Sequence, residues 1–208
     1  MEKGKLLIIS GFSGVGKGTV VKRLLDEYSN YKVSVSATTR NPREGEENGI
    51  HYFFKTIEEF EKMIENKQLL EYANYVGNYY GTPKEFVESQ LNQGINVILE
   101  IETKGALKVK EKMPEAMLIF LLPPDGDTLK QRLVGRNTET EEVIAERLKK
   151  AAEETVAMEN YEYFVVNDEI DKCVDDINRI ITDNEPELLT RDRILEIKND
   201  ILKFSKGE

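Results

Sequence analysis

The stretch Gly11-Phe12-Ser13-Gly14-Val15-Gly16-Lys17-Gly18-Thr19 joins an apolar run, Leu6 to Ser10, to a segment of helical spacing that runs from Thr19 to Tyr28. Glycines at this junction let successive backbone N–H groups turn inward toward phosphate oxygens, the start of a helix adds partial positive charge, and Lys17 adds a full one. The pattern G-x-x-x-x-G-K-[ST] is met at Gly11, Gly16 and Lys17, with Gly18 at the final hydroxyl position and Thr19 one place later. Strand, glycine loop, lysine and helix in that order point to a bound nucleotide. With Gly18 supplying no hydroxyl, Mg²⁺ is expected to rest mainly on phosphates and water, and no protein ligand is assigned to it.

A second basic loop reads Ser34-Val35-Ser36-Ala37-Thr38-Thr39-Arg40-Asn41-Pro42-Arg43-Glu44-Gly45-Glu46. Its two guanidinium groups, set three residues apart around a proline, suit a phosphate dianion better than lysines would. Taken alone, the segment is equally an ordinary solvated loop. It gains meaning beside Tyr52, Glu71, the run Gly77-Asn78-Tyr79-Tyr80-Gly81-Thr82, and Glu100-Ile101-Glu102 at a strand end. His51, the only histidine, has no carboxylate or serine arrangement around it and reads as a surface strand residue.

The elements that must hold these residues follow from the apolar pattern. Leu6–Ser10, Asn96–Ile101, Met117–Leu122 and Tyr163–Val166 are short apolar runs of the buried-strand type, alternating with helical spacing from Thr19, Thr103, Asp125 and Ile170. Interleaved strands and helices imply right-handed crossovers and a largely parallel sheet covered on both faces. Residues 33–82 break the rhythm with short pieces at Val33–Val35, His51–Phe54 and Leu70–Tyr80 around a helical stretch from Glu58 to Asn66, which predicts a small mixed subdomain. Residues 124–160 predict a mobile helical hairpin. Beyond Pro186, Leu188, Leu195 and Leu202 recur every seven residues with Ile194 and Ile201 beside them, predicting an amphipathic helix.

With these segments assembled, the chain resembles the guanylate kinases, nucleoside monophosphate kinases that phosphorylate GMP. The match runs from about Gly4 to Asp183, and the segments Thr38-Thr39-Arg40-Asn41-Pro42-Arg43-Glu44-Gly45-Glu46 and Gly77–Thr82 carry it more specifically than the phosphate loop. The resemblance implies an α/β fold with a parallel-sheet core of the P-loop nucleoside triphosphate hydrolase type. The whole domain would span 4–184, with its core in 4–32, 83–123 and 161–184, a GMP-binding subdomain in 33–82, a helical lid in 124–160, and a C-terminal amphipathic helix in 185–208. ATP would occupy Gly11 to Thr19, with Asn167 on the adenine side. Ser36, Arg40, Arg43, Tyr52 and Tyr80 would hold the GMP phosphate, while Glu71, Thr82 and Glu102 would address the guanine. Arg132, Arg136 and Arg147 look like the family's lid arginines, which with Lys17, Arg40 and Arg43 make the catalytic set.

Base chemistry agrees with that assignment. Guanine shows N1–H and N2–H₂ on one edge, so Glu71 can accept from both, and the Thr82 hydroxyl can donate to O6. Adenine would leave the carboxylate unpaired, and a site built on such bonds can reject the wrong ligand by roughly 10⁴-fold. Departures from the usual family text are Glu100-Ile101-Glu102 in place of two aspartates, Asn137 where glycine is common, and Phe12 where proline is frequent. They bear on lid rate and metal geometry more than on the reaction.

The implied reaction is ATP + GMP → ADP + GDP, with dGMP as a second acceptor, Mg²⁺ accompanying ATP, and a place in purine nucleotide metabolism and GMP recycling. Two other readings stay open: a catalytically inactive binding module of the same fold, against which the intact Lys17, Gly16, Arg136 and Arg147 weigh, and a kinase for another monophosphate, against which Glu71 with Thr82 weighs. The chain of 208 residues carries 29 Lys+Arg against 39 Asp+Glu, a net charge of −10. That balance argues against a nucleic-acid polymer as partner, because attraction to one needs a basic face. No apolar run approaches the ~20 residues a bilayer requires. With no export signal visible behind Met1 and a single cysteine, Cys173, in an apolar stretch, a reducing cytoplasm is the expected compartment. The sequence leaves room for a homo-oligomer.

Overall fold

Along residues 2–135, 140–183 and 188–206, which a computed structural model of the chain describes, strands and helices alternate. The order opens with β1 (Leu6–Gly11), α1 (Lys17–Glu27), β2 (Tyr31–Val33), β3 (Ala37–Thr38), β4 (Phe53–Phe54) and α2 (Ile57–Glu65). It continues through β5 (Leu69–Tyr75), β6 (Asn78–Pro83), α3 (Lys84–Asn92), β7 (Asn96–Leu99), α4 (Thr103–Lys112) and β8 (Met117–Leu122). Then come α5 (Gly126–Val134), α6 (Glu141–Glu154), β9 (Tyr163–Val166), α7 (Ile170–Thr182) and α8 (Arg191–Leu202). The chain divides into two compact units, Met1–Ile8 with Asn30–Met117, and Ile9–Ser29 with Leu118–Glu208.

In the first unit the parallel strands run β2-β7-β1, with Leu6 opposite Val97 and Tyr31 opposite Asn96. Every residue from Leu6 to Ile9 is buried, as it is in β7, because a parallel strand covered on both faces has no solvent side to make polar. A second sheet in the same unit is mixed, in the order β4-β3-β6-β5, and its β5–β6 pair is an antiparallel hairpin. Helix α2 starts in a capping box, Thr56 accepting from the Glu59 N–H while the Glu59 carboxylate accepts from the Thr56 N–H. Its Phe60 is buried against that sheet with Ala37 and Leu69, and Tyr79 stacks on the Phe60 ring at 5.1 Å between centroids. Tyr79 is therefore a core aromatic.

In the second unit the remainder of β1 leads the order β1-β8-β9, and β8 pairs in parallel with β9 from Ile119–Tyr163 to Leu122–Val166. Helix α7 buries one stripe, Cys173, Val174, Ile177, Ile180 and Ile181. Burial pushes the Cys173 thiol up to about 12, so it is an inert apolar side chain.

Several elements differ from the pattern read in the sequence: β7 stops at Leu99 instead of Ile101, and Leu70–Tyr80 is no single piece but the β5–β6 hairpin, which turns at Val76 and Gly77. Val33–Val35 is not one strand: β2 stops at Val33, the Ser34 N–H adds one more bond to the Ile98 carbonyl at 2.9 Å, and the chain then leaves for β3 in the other sheet. Helix α3 was not anticipated, although Pro83 stands before it and Val87 and Leu91 make an i, i+4 buried pair. The seven-residue leucine spacing misassigns the apolar face of α8. Leu195 is 43% exposed, Leu188 lies before the helix, and the buried residues are Ile197 and Ile201. His51 is exposed on a turn, where its Nδ1 accepts from the Glu47 N–H at 3.0 Å. Among the described residues no helix is long and apolar enough to cross a membrane.

Candidate functional site

In the second unit the glycine loop leaves β1 and enters α1 at Lys17. Gly14 and Gly16 have φ of 88° and 97°, a left-handed backbone that side chains rarely adopt. A Cβ on Gly14 would sit 2.6 Å from Leu133 Cδ2, and one on Gly16 would sit 2.7 Å from Asn167 Nδ2. The loop is thus shaped by both conformation and close approach. Phe12 and Val15 are fully buried, Phe12 edge-on to Phe120 at 5.1 Å. These two can offer a nucleotide only their backbone; Ser13 and Lys17 are half-buried and Thr19 is exposed.

Lys17 turns its ammonium back over the loop, where it donates to the Gly11 carbonyl at 2.7 Å. The Val15 carbonyl, on the same loop, accepts from Asn167 Nδ2 at 2.8 Å and from an Arg132 guanidinium nitrogen at 3.4 Å. Asn167 is buried just after β9, and its own N–H continues the ladder to the Leu122 carbonyl. Asn167, expected on the adenine side of a bound nucleotide, has its amide on the loop that would hold the phosphates. Arg147 lies half-buried on α6. Arg136 and Asn137 fall outside the described residues.

Gly18, within the first turn of α1, has nothing within 4 Å of a Cβ built on it. No group of three or more His, Cys, Asp or Glu side chains among the described residues could hold a metal ion. Gly18 brings no hydroxyl to the loop, so a divalent cation accompanying a bound nucleotide would be held there by phosphate oxygens and water.

In the first unit, β3 delivers the chain into the arginine loop. The Arg40 N–H donates to Thr38 Oγ1 at 3.2 Å, and its guanidinium lies 5.3 Å from the Tyr52 ring centroid and 5.9 Å from that of Phe54. Tyr80, on β6, meets Tyr52 edge-on at 6.2 Å. The turn closed by the Glu46 N–H on the Arg43 carbonyl brings Glu46 back onto both arginines. Its carboxylate accepts from Arg40 at 2.8 Å and from the Arg43 N–H at 2.7 Å. Arg40 foremost, then Arg43, holds the Glu46 carboxyl down at about 2. Glu46 was not among the site residues read from the sequence, although it stands in the same run; nothing in residue type marks which carboxylate will turn back. Ser36 lies at the entry to β3, where its carbonyl accepts from Phe53 N–H at 2.8 Å.

The β5–β6 hairpin supplies the base side. Its register shifts between Leu69 and Tyr72, and beside that irregularity Glu71 points inward, only 8% exposed. The Thr82 hydroxyl donates to Glu71 Oε1 at 2.8 Å. In this arrangement the hydroxyl proton is engaged by Glu71, and donation to a base oxygen requires it to turn. The other carboxylate oxygen, Oε2, would lie 3.3 Å from a Cβ on Gly105, one turn into α4. Burial raises the Glu71 carboxyl above its ordinary value, against the opposing pull of Thr82, Lys108 and Lys112. Both lysines are on α4, with Lys112 donating to the Leu69 carbonyl at 3.0 Å and Lys108 to the Tyr72 carbonyl at 3.5 Å. Gly105, Lys108 and Lys112 went unread in the sequence, since their relation to Glu71 exists only once α4 packs on β5. Glu102 is exposed at the N-cap of α4.

A family model for guanylate kinase matches residues 3–184. The guanylate kinase of Halalkalibacterium halodurans is 52% identical over 195 residues, 94% of each chain. That of Oceanobacillus iheyensis is 52% identical over 202 residues, 97% of each chain. A crystal structure of guanylate kinase from Anaplasma phagocytophilum superimposes with a TM-score of 0.63 at 34% identity, covering 86% of this chain and 85% of that one.

Proposed function

The chain belongs to the guanylate kinase family, and on that premise we propose that it transfers the γ-phosphoryl group of ATP to GMP, and to dGMP, giving ADP and GDP. The observation that carries the choice of acceptor is Glu71, a carboxylate buried beside Thr82 with Lys108 and Lys112 on the neighbouring helix. An ionised carboxylate there accepts from the two N–H donors of the guanine edge and finds no such pair on adenine, uracil or cytosine.

The donor side belongs to the glycine loop, Gly11 to Thr19. Its backbone N–H groups and the start of α1 meet the phosphates, and Lys17 exchanges the Gly11 carbonyl for them. Asn167 holds Val15 in place from below. On the acceptor side Arg40 leaves Glu46 for the GMP phosphate, with Arg43, Tyr52, Tyr80 and Ser36 completing the ring of donors and Glu102 addressing the base.

The attacking group is an anionic phosphate oxygen, so no general base is needed and the protein contributes alignment and charge. ATP brings about four negative charges and GMP about two. Lys17, Arg40, Arg43, Arg132, Arg136 and Arg147 oppose them, and Mg²⁺, held by ATP's phosphates and water, supplies further neutralisation when bound. We assign residues 33–82 to GMP binding and 124–160 to a lid whose arginines exclude water, which would otherwise accept the phosphoryl group. Phosphorus NMR of the protein with ATP and GMP tests the reading: the resonances of GDP must grow as those of GMP fall, whereas ADP formed without GDP would make the chain a hydrolase instead.

A further inference from the structure

Helix α8 has no part in the reading above, yet it touches the helix that carries Arg132. Helix α5 opens at Gly126, whose N–H donates to Asp200 Oδ2 of α8 at 2.5 Å, while the Thr128 N–H donates to Asp125 at 2.6 Å. Two of the four N–H groups that a helix start leaves unpaired are thus met by carboxylates, one of them from 74 residues away. Around that contact the two helices are keyed together. Lys203 donates to the other Asp200 oxygen at 2.6 Å, Arg193 donates to the Pro124 carbonyl at 2.7 Å, and a Cβ on Gly126 would meet Phe204 Cζ at 3.2 Å. The partly buried carboxylate is held below its usual range by Lys203 and the Gly126 N–H.

The other end of α5 lies on the phosphate loop. Leu133 closes over Gly14, and Arg132 reaches the Val15 carbonyl. Arg132 follows Gly126 by six residues, about 9 Å along the axis of one uninterrupted helix. What fixes its first N–H also fixes where the guanidinium stands.

We propose that Asp200 is a positioning residue for Arg132: by capping α5 from the C-terminal helix it sets the placement of that guanidinium at the phosphate loop. The proposal rests on the reading of Arg132 as a group that meets the transferred phosphoryl. Asp200 itself touches no substrate. Loss of the cap lets the start of α5 fray and Arg132 drift, which lowers the rate of transfer more than it weakens binding of either nucleotide.

The test is a cycle of kcat and KM for ATP and GMP in wild type, D200A, D200N, R132A and D200A/R132A, with thermal unfolding of each. We expect D200A to lower kcat about tenfold with both KM values within about twofold, and D200N, which keeps an oxygen acceptor for the Gly126 N–H, to lose only about threefold. In the R132A background D200A should change kcat no further. The same loss with Arg132 absent, or an unchanged kcat in D200A, would overturn the proposal and leave the reading of Arg132 standing. Wild-type kcat in R132A would overturn both. Should D200A fail to fold, D200N and D200N/R132A complete the same cycle, and an equal drop in the two backgrounds would be decisive against it.

Discussion

The Thr82 hydroxyl donates to Glu71 Oε1 at 2.8 Å, across the two strands of one antiparallel hairpin. The bond ties down one oxygen of a buried carboxylate and leaves Oε2 facing the first turn of α4. A buried carboxylate with one polar neighbour and two lysines on the adjacent helix is costly to keep ionised, and a protein that needed only stability would place an apolar residue there. Under the proposed function, guanine, whose two edge donors would satisfy that charge, accounts for its presence.

Glu71→Gln separates function from stability. An amide cannot accept two N–H groups in place of the carboxylate, so kcat/KM for GMP should fall about 10²–10³-fold with the KM for ATP nearly unchanged. Steady-state kinetics with each substrate varied in turn would check this; equal damage to ATP and GMP use would point to misfolding.

The same variant fixes the sign of a pH effect. Burial places the folded-state pKa of Glu71 above its unfolded value, so the carboxyl favours the folded state while protonated and that contribution is lost as pH rises through the folded value. Glutamine does not titrate. From about pH 4 to pH 7, wild type should therefore lose melting temperature relative to Glu71→Gln in unfolding measured without nucleotide. A wild type that gained on the variant over that range would mean that folding prefers the charged form.

Lys17→Ala should keep the fold and lose the chemistry. The Lys17 ammonium contacts the loop at Gly11, outside the apolar core, so circular dichroism should be unchanged while turnover falls about 10²–10³-fold.

Two glycines of the phosphate loop should respond oppositely to alanine. Gly14→Ala combines a φ of 88° with a Cβ 2.6 Å from Leu133 Cδ2 and should destabilise the fold by about 2 kcal/mol or more. Gly18→Ala, helical and with open space at the Cβ, should gain up to about 1 kcal/mol by restricting the unfolded chain. Denaturant unfolding of both without nucleotide would show it; a stable Gly14→Ala would contradict the loop geometry.

How much of this could be read from residues depended on the range of the interaction. Strands such as Met117–Leu122 and Tyr163–Val166 carry their pattern within themselves and have in the structure the limits the sequence suggests, and α7 starts at Ile170 as its spacing does. The phosphate loop was equally local. Glu71 and Thr82 could be named beforehand because guanine demands both, but the bond between them exists only once the hairpin sets β6 beside β5. Asn167 under Val15, Glu46 on Arg40 and Lys112 beside Glu71 are relations between distant segments, and residue type alone is silent about them. The C-terminal helix was legible in part: Ile201, named beside the leucine repeat, is buried, while packing chose Ile197 over Leu195.

The most direct measurement of the central claim is release of ADP, followed by a coupled assay, with GMP, dGMP, AMP, UMP and CMP offered in turn. The account predicts turnover with GMP and dGMP, and kcat/KM at least about 10³-fold lower for the other three, the discrimination expected when a buried carboxylate is left without its donors. Comparable turnover with AMP would contradict it, because Glu71 and Thr82 would then not be choosing the base.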